Sequence, residues 1–516
     1  MKLDFVTFKD KVHGCWTGKN IGGVLGAPYE CKRGLFDVEF YTQDLSNGPP
    51  PNDDLDLQII WLAAVERYGR NLNSSILGEY WLSFVIPHWV EYGMGKNNMR
   101  AGLVPPLSGF TDNIYKDSCG CFIRSEIWAC LAPGHPEIAT RYAYEDAIVD
   151  HADEGMYGEV FCAAIQSAAF VESDKDRLVE IGLSYIPDDC AVALCIKEAR
   201  RCYKENVPFA DMRENIHKTA PGSFGIQYKK LHEIESGDFE NGRPGFDAPE
   251  NIGFLIAAWY YGEGDFGKSL CMAVNCGEDT DCTAATLGAL IGIISGGKAI
   301  PEKWTAPLND KISTMCIDKT SWGVWVPDTV TELTDRILRV VPCFLGIDMC
   351  DLFATGGYEI EAHIGDALLG SKNDEYLQGI SGNNIDKDIK LRDLCAAPAV
   401  VRYEHPAFRV SVDYHGSPFF QTGEPRKLTV SVSDNGFMRQ QQWINLRLYA
   451  PHGVSVLGGR EFCAPMNYNH DDKAEAIFEF VDTEAFTGGK LELLIDISAV
   501  GRHSSAPVKV VLMRKE

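Results

Sequence analysis

Gly277-Glu278-Asp279-Thr280-Asp281-Cys282-Thr283 runs straight into Ala284, Ala285, Gly288, Ala289 and Gly292. The small residues recur every three or four positions, so they share one side of a helix and let a neighbouring helix come close. Two glycines lower helix propensity, so close packing has to compensate, and the helix is expected in the interior. Its first turn then presents a conflict. Glu278, Asp279 and Asp281 put three carboxylates within four residues, and like charges held together away from water repel strongly. A cation resolves the conflict. Carboxylates, an amide oxygen and a threonine hydroxyl are hard ligands, suited to Mg²⁺, Mn²⁺ or Ca²⁺ rather than zinc. An EF-hand is excluded, because Asp279-Thr280-Asp281 lacks the following acid, the turn glycine and the distal glutamate.

Two further helix boundaries carry acids. Glu30 closes the run Gly22-Gly23-Val24-Leu25-Gly26-Ala27-Pro28-Tyr29-Glu30, and Asn52-Asp53-Asp54 opens a helix after Pro49-Pro50-Pro51. Each has an ordinary reading: Asn52 is a good N-cap, and acids in a first turn complement the helix dipole. One such start alone carries little weight.

Up to about Leu345 the dominant hydrophobic period is helical. Phe5, Phe8, Val12 and Trp16 mark one face of a first helix, expected to stop in the glycine-rich stretch Gly18 to Gly26. Further helices are expected from Leu55 to Glu66, Ile127 to Leu131, Ala139 to Val149, Val160 to Phe170, Ala191 to Cys202, Leu255 to Tyr261 and Ala284 to Ile294. Strand alternation is hard to find there. After Ala397 the texture changes: Leu428, Val430 and Val432 alternate with Thr429, Ser431 and Ser433, and Ile444, Leu446 and Leu448 repeat the pattern. Ile477, Phe478 and Phe480 follow it more loosely, then Leu491 to Ile497 and Val508 to Leu512, with turns such as Asp434-Asn435-Gly436 between the runs. Short strands at this spacing indicate an antiparallel β-sandwich. The expected organisation is an all-α domain over 1–345, a connector over 346–396 and a sandwich over 397–516. Tyr414, Phe419 and Phe420 belong more readily to the sandwich core than to a binding patch.

At 516 residues the chain is expected to form two or three domains, and its 45% hydrophobic and 23% charged content is that of an ordinary globular protein. Its 73 acidic residues against 48 lysines and arginines give a formal net charge of -25, which disfavours nucleic-acid binding. The same field opposes a phosphorylated small molecule unless bound divalent cations reverse it locally. Seventeen scattered cysteines with no paired CxxC units argue against a zinc site. The odd count and the charged start Met1-Lys2-Leu3-Asp4-Phe5 lead to an expectation of reduced thiols and a cytoplasmic location. No stretch approaches the roughly 20 apolar residues of a membrane span.

Taken in order, a glycine-rich helix end closing in Glu30, the acidic helix start at Asn52-Asp53-Asp54 and the late start at Gly277 to Thr283 resemble the ADP-ribosylglycohydrolase family. The most specific stretch runs from Pro249-Glu250-Asn251-Ile252 through Ala257-Ala258-Trp259 and Asp265-Phe266 to Ala273-Val274-Asn275-Cys276-Gly277-Glu278-Asp279-Thr280-Asp281. Gly288-Ala289-Leu290 and Ile300-Pro301-Glu302-Lys303-Trp304 continue it, and Ser118-Cys119-Gly120 and His151 match more weakly. The resemblance covers about residues 1–345. It implies an orthogonal all-α bundle holding one or two Mg²⁺ (or Mn²⁺) ions.

Under the same resemblance, Asn52, Asp53 and Asp54 would hold the metal from one side and Asp279 and Asp281 from the other. Glu30 or Asp53 would activate water. Ser118, Cys119, Gly120, His151, Gly277 and Glu278 would border the substrate, although a histidine such as His151 is more readily a satisfied core or helix-end residue. Three positions depart from the family pattern. Asn52 and Cys282 replace hydroxyl residues, and a thiol is a poor Mg²⁺ ligand, so either Thr283 substitutes or one metal is weakened. Glu278 replaces a glycine, which predicts a smaller or more negative pocket. The implied reaction is metal-dependent hydrolysis of a glycosidic bond at a ribose, first of all removal of ADP-ribose from a protein side chain or small acceptor. Another ribosyl, nucleoside or furanosyl glycoside, and a non-catalytic ADP-ribose or sugar-binding protein, are the alternatives. The sandwich is open to carbohydrate binding, dimerisation or covering the site, and a homo-oligomer is left open.

Overall fold

Asp4 starts the first helix, α1 (Phe5–Gly26), its carboxylate accepting hydrogen bonds from the Val6 and Thr7 amides at 3.0 Å each. Six further helices matter for the sites: α2 (Asp53–Tyr68), α3 (Pro136–Ala147), α4 (Asp153–Ala168), α5 (Ala248–Tyr261), α6 (Thr280–Ser295) and α7 (Val330–Leu345). The structure is a computed structural model and describes residues 1–219, 245–319, 324–370, 390–436, 438, 440–467 and 472–515. The chain divides into two units, Met1–Met94 with Ile114–Gly379, and Gly95–Asn113 with Ile380–Glu516.

The first unit is built around α1 and α6. Helix α1 ends at Gly26, inside the expected stretch Gly18 to Gly26, but only after running through Gly18, Gly22 and Gly23. The reason is the partner helix. A Cβ added at Gly14 would lie 2.3 Å from the Gly292 carbonyl oxygen, one at Gly18 2.0 Å from that of Gly288, and one at Gly22 2.1 Å from that of Ala284. The two helices therefore touch backbone to backbone along matched rows spaced by four residues. Phe8, Val12 and Trp16 on α1 and Leu287, Leu290 and Ile293 on α6 are fully buried around that contact. Short strands also occur in this unit. Lys2–Asp4 (β1) pairs antiparallel with Glu359–Glu361, which pairs with Cys350–Asp351, so the expected connector contributes a small sheet here. Lys32–Arg33 pairs with Gly277–Glu278.

The second unit is a sandwich of two five-stranded sheets. One orders the strands Glu461–Met466, Gln442–Tyr449, Lys490–Ala499, Ser505–Arg514 and Phe419–Phe420; the other Val454–Leu457, Ala474–Asp482, Arg426–Asp434, Phe408–Asp413 and Val400–Glu404. All pairings are antiparallel except the short parallel one between Ser505–Arg514 and Phe419–Phe420. The alternating apolar residues line one core: Leu428 faces Phe478 across its pair, Leu446 faces Ile497, and Ile495 faces Val508. Ile477 points outward instead, since its neighbours Phe478 and Ala476 take the inner face. Tyr414 and Phe420 are core residues, joined by Leu103 and Leu107 from the segment Gly95–Asn113.

Candidate metal centre

Three chain segments bring the acids together. Gly26 ends α1 against α6, where an added Cβ would fall 2.4 Å from the Asp281 Cα, and the chain turns through Ala27–Tyr29 to Glu30. Asn52 caps α2, its Oδ1 accepting the Asp54 amide at 2.7 Å while its Nδ2 donates to Asp281 Oδ2 at 3.1 Å. Asp279 sits at the N-cap position of α6, its amide donating to Asn251 Oδ1 at 3.2 Å. Ligand atoms of Asp53, Asp54 and Asp281 lie within 4.8 Å of one another, as do those of Asp279, Asp281 and Cys282. Asp281 is common to both groups. Both side-chain oxygens of Asp54 and Oδ1 of Asp281 are buried without a hydrogen-bond partner.

The electrostatics follow from this crowding. Burial, then the Asp281 charge, holds Asp54 well above the usual carboxylate range and pushes Asp53 up to about 6. Asp279 is raised by burial and then by Asp281 and Glu30. Glu30, exposed at the rim, is pushed up to about 8 by Asp281, by partial burial and by Asp53. One fixed positive charge opposes the cluster. Lys19, fully buried on α1, donates to the Ile123 carbonyl at 2.5 Å and pairs with Glu126 at 3.2 Å, and its charge acts on Asp53 and Asp54. Asp53 also accepts a hydrogen bond from the Tyr92 hydroxyl at 3.1 Å.

The remaining residues expected at the site divide. Cys119 adjoins Asp279, which with burial raises its thiol. Gly120 lies against Glu91, where a Cβ would meet the carboxylate. Ser118 Oγ lies 2.8 Å from His151 Nε2, and His151 Nδ1 2.9 Å from Asp150 Oδ1. His151 and Ser118 are both fully buried, so this pair faces the interior. Cys282 stands among Asp279 and Asp281, burial holding its thiol well above the usual range. The Thr283 hydroxyl donates to the Thr280 carbonyl within α6 at 3.2 Å. The Asn52 oxygen is engaged by the α2 cap, so it is the amide nitrogen that faces Asp281.

Gly277 and Glu278 turn away from the role expected of them. Gly277 has φ +76°, and a Cβ there would lie 2.5 Å from the Gly34 carbonyl oxygen, so this glycine serves the backbone pairing with Lys32–Arg33. Glu278 directs its buried carboxylate to Arg33 Nε at 2.9 Å, Arg213 Nη2 at 2.8 Å and His217 Nε2 at 3.5 Å. Burial pushes that carboxyl up, but His217 and Arg33 outweigh it and hold it below the usual range. The expected extra negative charge is therefore neutralised on the spot.

Lys19, Tyr92, Arg33 and Arg213 were not expected at the site, and Asn251 only as part of the family stretch. Lys19 had a visible signal: a lysine inside a glycine-lined helix contact has to be buried and paired. Arg33 and Arg213 had none, since they lie 245 and 65 residues from Glu278.

The donor set can be tested against the cation it implies. Buried carboxylate oxygens without partners, from helix starts far apart in sequence, are what a hard divalent ion would satisfy. The residues fit such an ion. They define a helical protein with an acidic centre at the converging starts of two helices.

Residues 5–342 match the sequence model described as ADP-ribosylglycohydrolase, and the chain belongs to that family. An uncharacterized protein of Archaeoglobus fulgidus is 26% identical over 200 residues, which cover 38% of this chain and 55% of that relative. The chain thus spans about half the length of the curated relative it matches. A solved structure titled ADP-ribosylglycohydrolase-related protein complex aligns with 66% of this chain and 99% of its own, at 17% identity and a TM-score of 0.41. A FixG-related protein from Vibrio parahaemolyticus aligns over 23% of this chain and 94% of its own, at 12% identity and a TM-score of 0.16. Among the described residues no helix is long and apolar enough to cross a membrane. None of the seventeen cysteines forms a disulfide.

Proposed function

We propose that this chain hydrolyses a glycosidic bond at a ribose with one or two divalent ions, removing ADP-ribose from a protein side chain or small acceptor. The observation that supports it most is the meeting of Asp53, Asp54, Asp279 and Asp281 with unpartnered buried oxygens among them. Asp54 and Asp281 would be the principal ligands, with Asp53 and Asp279 completing the set. When bound, Mg²⁺ or Mn²⁺ supplies charge neutralisation, a grip on sugar hydroxyls and acidification of coordinated water.

The chain's own residues account for the rest. Glu30 lies outside both close groups and at the exposed rim, which suits it to take the proton of the attacking water. Asp53, tied to Tyr92, is the better ligand of the two. Water oxygen bonds to the anomeric carbon, the bond to the acceptor breaks, and the acceptor leaves with a proton from solvent or from Glu30. Cys119, Ser118 and Gly120 would line the sugar side.

Cys282 in place of a hydroxyl ligand, and the Glu278 network, favour a second reading: the same hydrolysis on another ribosyl, nucleoside or furanosyl glycoside. One assay separates the readings. The full chain with Mn²⁺ is given ADP-ribosylated arginine and serine, and free ADP-ribose is measured by chromatography; release that is lost in Asp281→Ala supports the first. Cleavage of simple ribosides alone selects the second. Binding of ADP-ribose with no turnover of any of these would leave only a sugar-binding protein.

A further inference from the structure

A second group of metal-type ligands lies in the helical unit, separate from the acidic centre. His135 is the N-cap residue of α3, Glu137 is in that helix's first turn, and His363 follows the strand Glu359–Glu361. His135 Nδ1 and His363 Nε2 each stand 3.2 Å from the same oxygen, Glu137 Oε1, and one ligand atom from each of the three lies within 4.8 Å of the others. Two donors bound at about 2.0–2.1 Å to one tetrahedral ion stand roughly 3.3 Å apart. Both spacings to Glu137 Oε1 match those of two donors on a bound ion.

Spacing alone also suits a hydrogen-bonded trio, so the protons decide. His135 Nε2 lies 2.7 Å from the Glu361 carbonyl oxygen, which requires the proton on Nε2. The neutral ring then aims the bare lone pair of Nδ1 at a carboxylate oxygen. That contact is repulsive unless the buried ring takes a second proton or a cation sits between the two. Glu137 points to the cation: its other oxygen, Oε2, is buried without any hydrogen-bond partner, and the side chain is only 1% exposed. An imidazole whose far nitrogen donates to a backbone carbonyl is the usual second shell of a metal-ligating histidine.

The backbone holds the three residues in place. The His363 amide donates to the Gly134 carbonyl at 3.1 Å. Gly134 has φ +71°, and a Cβ on it would lie 2.5 Å from the Ala362 Cβ, so the two segments approach as closely as a glycine allows. The ligands are preorganised rather than gathered from loose chain.

The geometry points to a second cation site, in which His135 Nδ1, the Glu137 carboxylate and His363 Nε2 bind a divalent transition metal of the zinc class. Imidazole donors select such ions over the Mg²⁺ suited to the acidic centre. His363 is 21% exposed, so the remaining coordination position opens toward water. The site joins residues 226 apart in sequence, the start of α3 to the segment after the first domain's last long helix, and so acts as a clip. This inference does not depend on the proposed hydrolysis.

The test uses the full chain, freed of metal by chelation, supplied with excess Mg²⁺ and titrated with Zn²⁺ by calorimetry and by thermal unfolding. One Zn²⁺ should bind and raise Tm. His363→Gln, a partly exposed substitution, should weaken Zn²⁺ binding by about 100-fold or more and abolish the rise, while Asp54→Asn should keep both. X-ray absorption at the zinc edge should report two imidazole nitrogens at about 2.0–2.1 Å. Zn²⁺ binding unchanged in His363→Gln, an all-oxygen zinc shell, or no Zn²⁺ uptake beside Mg²⁺ overturns the site.

Discussion

At the scale of single residues, the acidic centre is a set of buried like charges, which under the proposed function should destabilise the metal-free protein and stabilise a loaded one. Replacing Asp281, which belongs to both close groups, should remove metal-dependent thermal stabilisation and lower hydrolysis by about 100-fold or more. In chelator, Asp281→Asn should unfold at a higher temperature than the wild type, because the repulsion on Asp54 and Glu30 is relieved. The pH dependence has a definite sign. These acids have folded values above their unfolded ones, about 6 for Asp53 and about 8 for Glu30, so the folded state binds more protons between about pH 4 and 8. Metal-free stability should therefore fall as pH rises through that window, and saturating Mn²⁺ should flatten the fall; thermal melts from pH 5 to 8 with and without Mn²⁺ measure it. Glu278 behaves oppositely, as a satisfied buried anion. Arg213→Met, leaving Arg33 and His217 as partners of Glu278, should cost about 3 kcal/mol in chemical denaturation, and Arg213→Met with Glu278→Gln should recover part of it.

At the scale of elements, the contact of α1 with α6 sets the site. Gly14, Gly18 and Gly22 on one helix meet Gly292, Gly288 and Ala284 on the other, and the row ends at Gly26 beside Asp281. A methyl group at any of these glycines meets backbone, which cannot rotate away. Gly18→Ala should cost about 1–3 kcal/mol, a fall in Tm of roughly 3 °C or more. Gly22→Ala, one turn nearer the acids, should in addition weaken Mn²⁺ binding, which calorimetry would read; unchanged affinity in a folded Gly22→Ala protein would separate the helix contact from the site. The small residues of α6 were legible in the sequence as a packing face. Those of α1 read as a helix stop, because glycine in isolation breaks helices and only the partner's backbone reveals why it is kept.

At the scale of the whole molecule, the two units arise from different periodicities. Hydrogen exchange measured with and without Mn²⁺ should show new protection at the C-terminal end of α1 and the first turns of α2 and α6. Amides of the strands Arg426–Asp434 and Ala474–Asp482 should exchange as before, and protection spread evenly over both units would contradict a metal centre confined to the acids. The segment Gly95–Asn113 belongs to the second unit, and Leu103 and Leu107 join the sandwich core. Nothing in its local pattern announces this, since a residue's burial depends on what the rest of the chain brings to it.

The helical and sandwich textures, the acids at three helix boundaries and the family are all legible in the amino-acid order. All of these are written in local spacing, at periods of two and of three to four residues, or in short motifs. Tertiary structure alone decided that the acids meet, that Lys19 lies beneath them, that Arg33 and Arg213 neutralise Glu278, and that His363 comes to His135 and Glu137. Those are distances between residues tens to hundreds of positions apart, fixed by how closely helices pack. No local pattern carries that information.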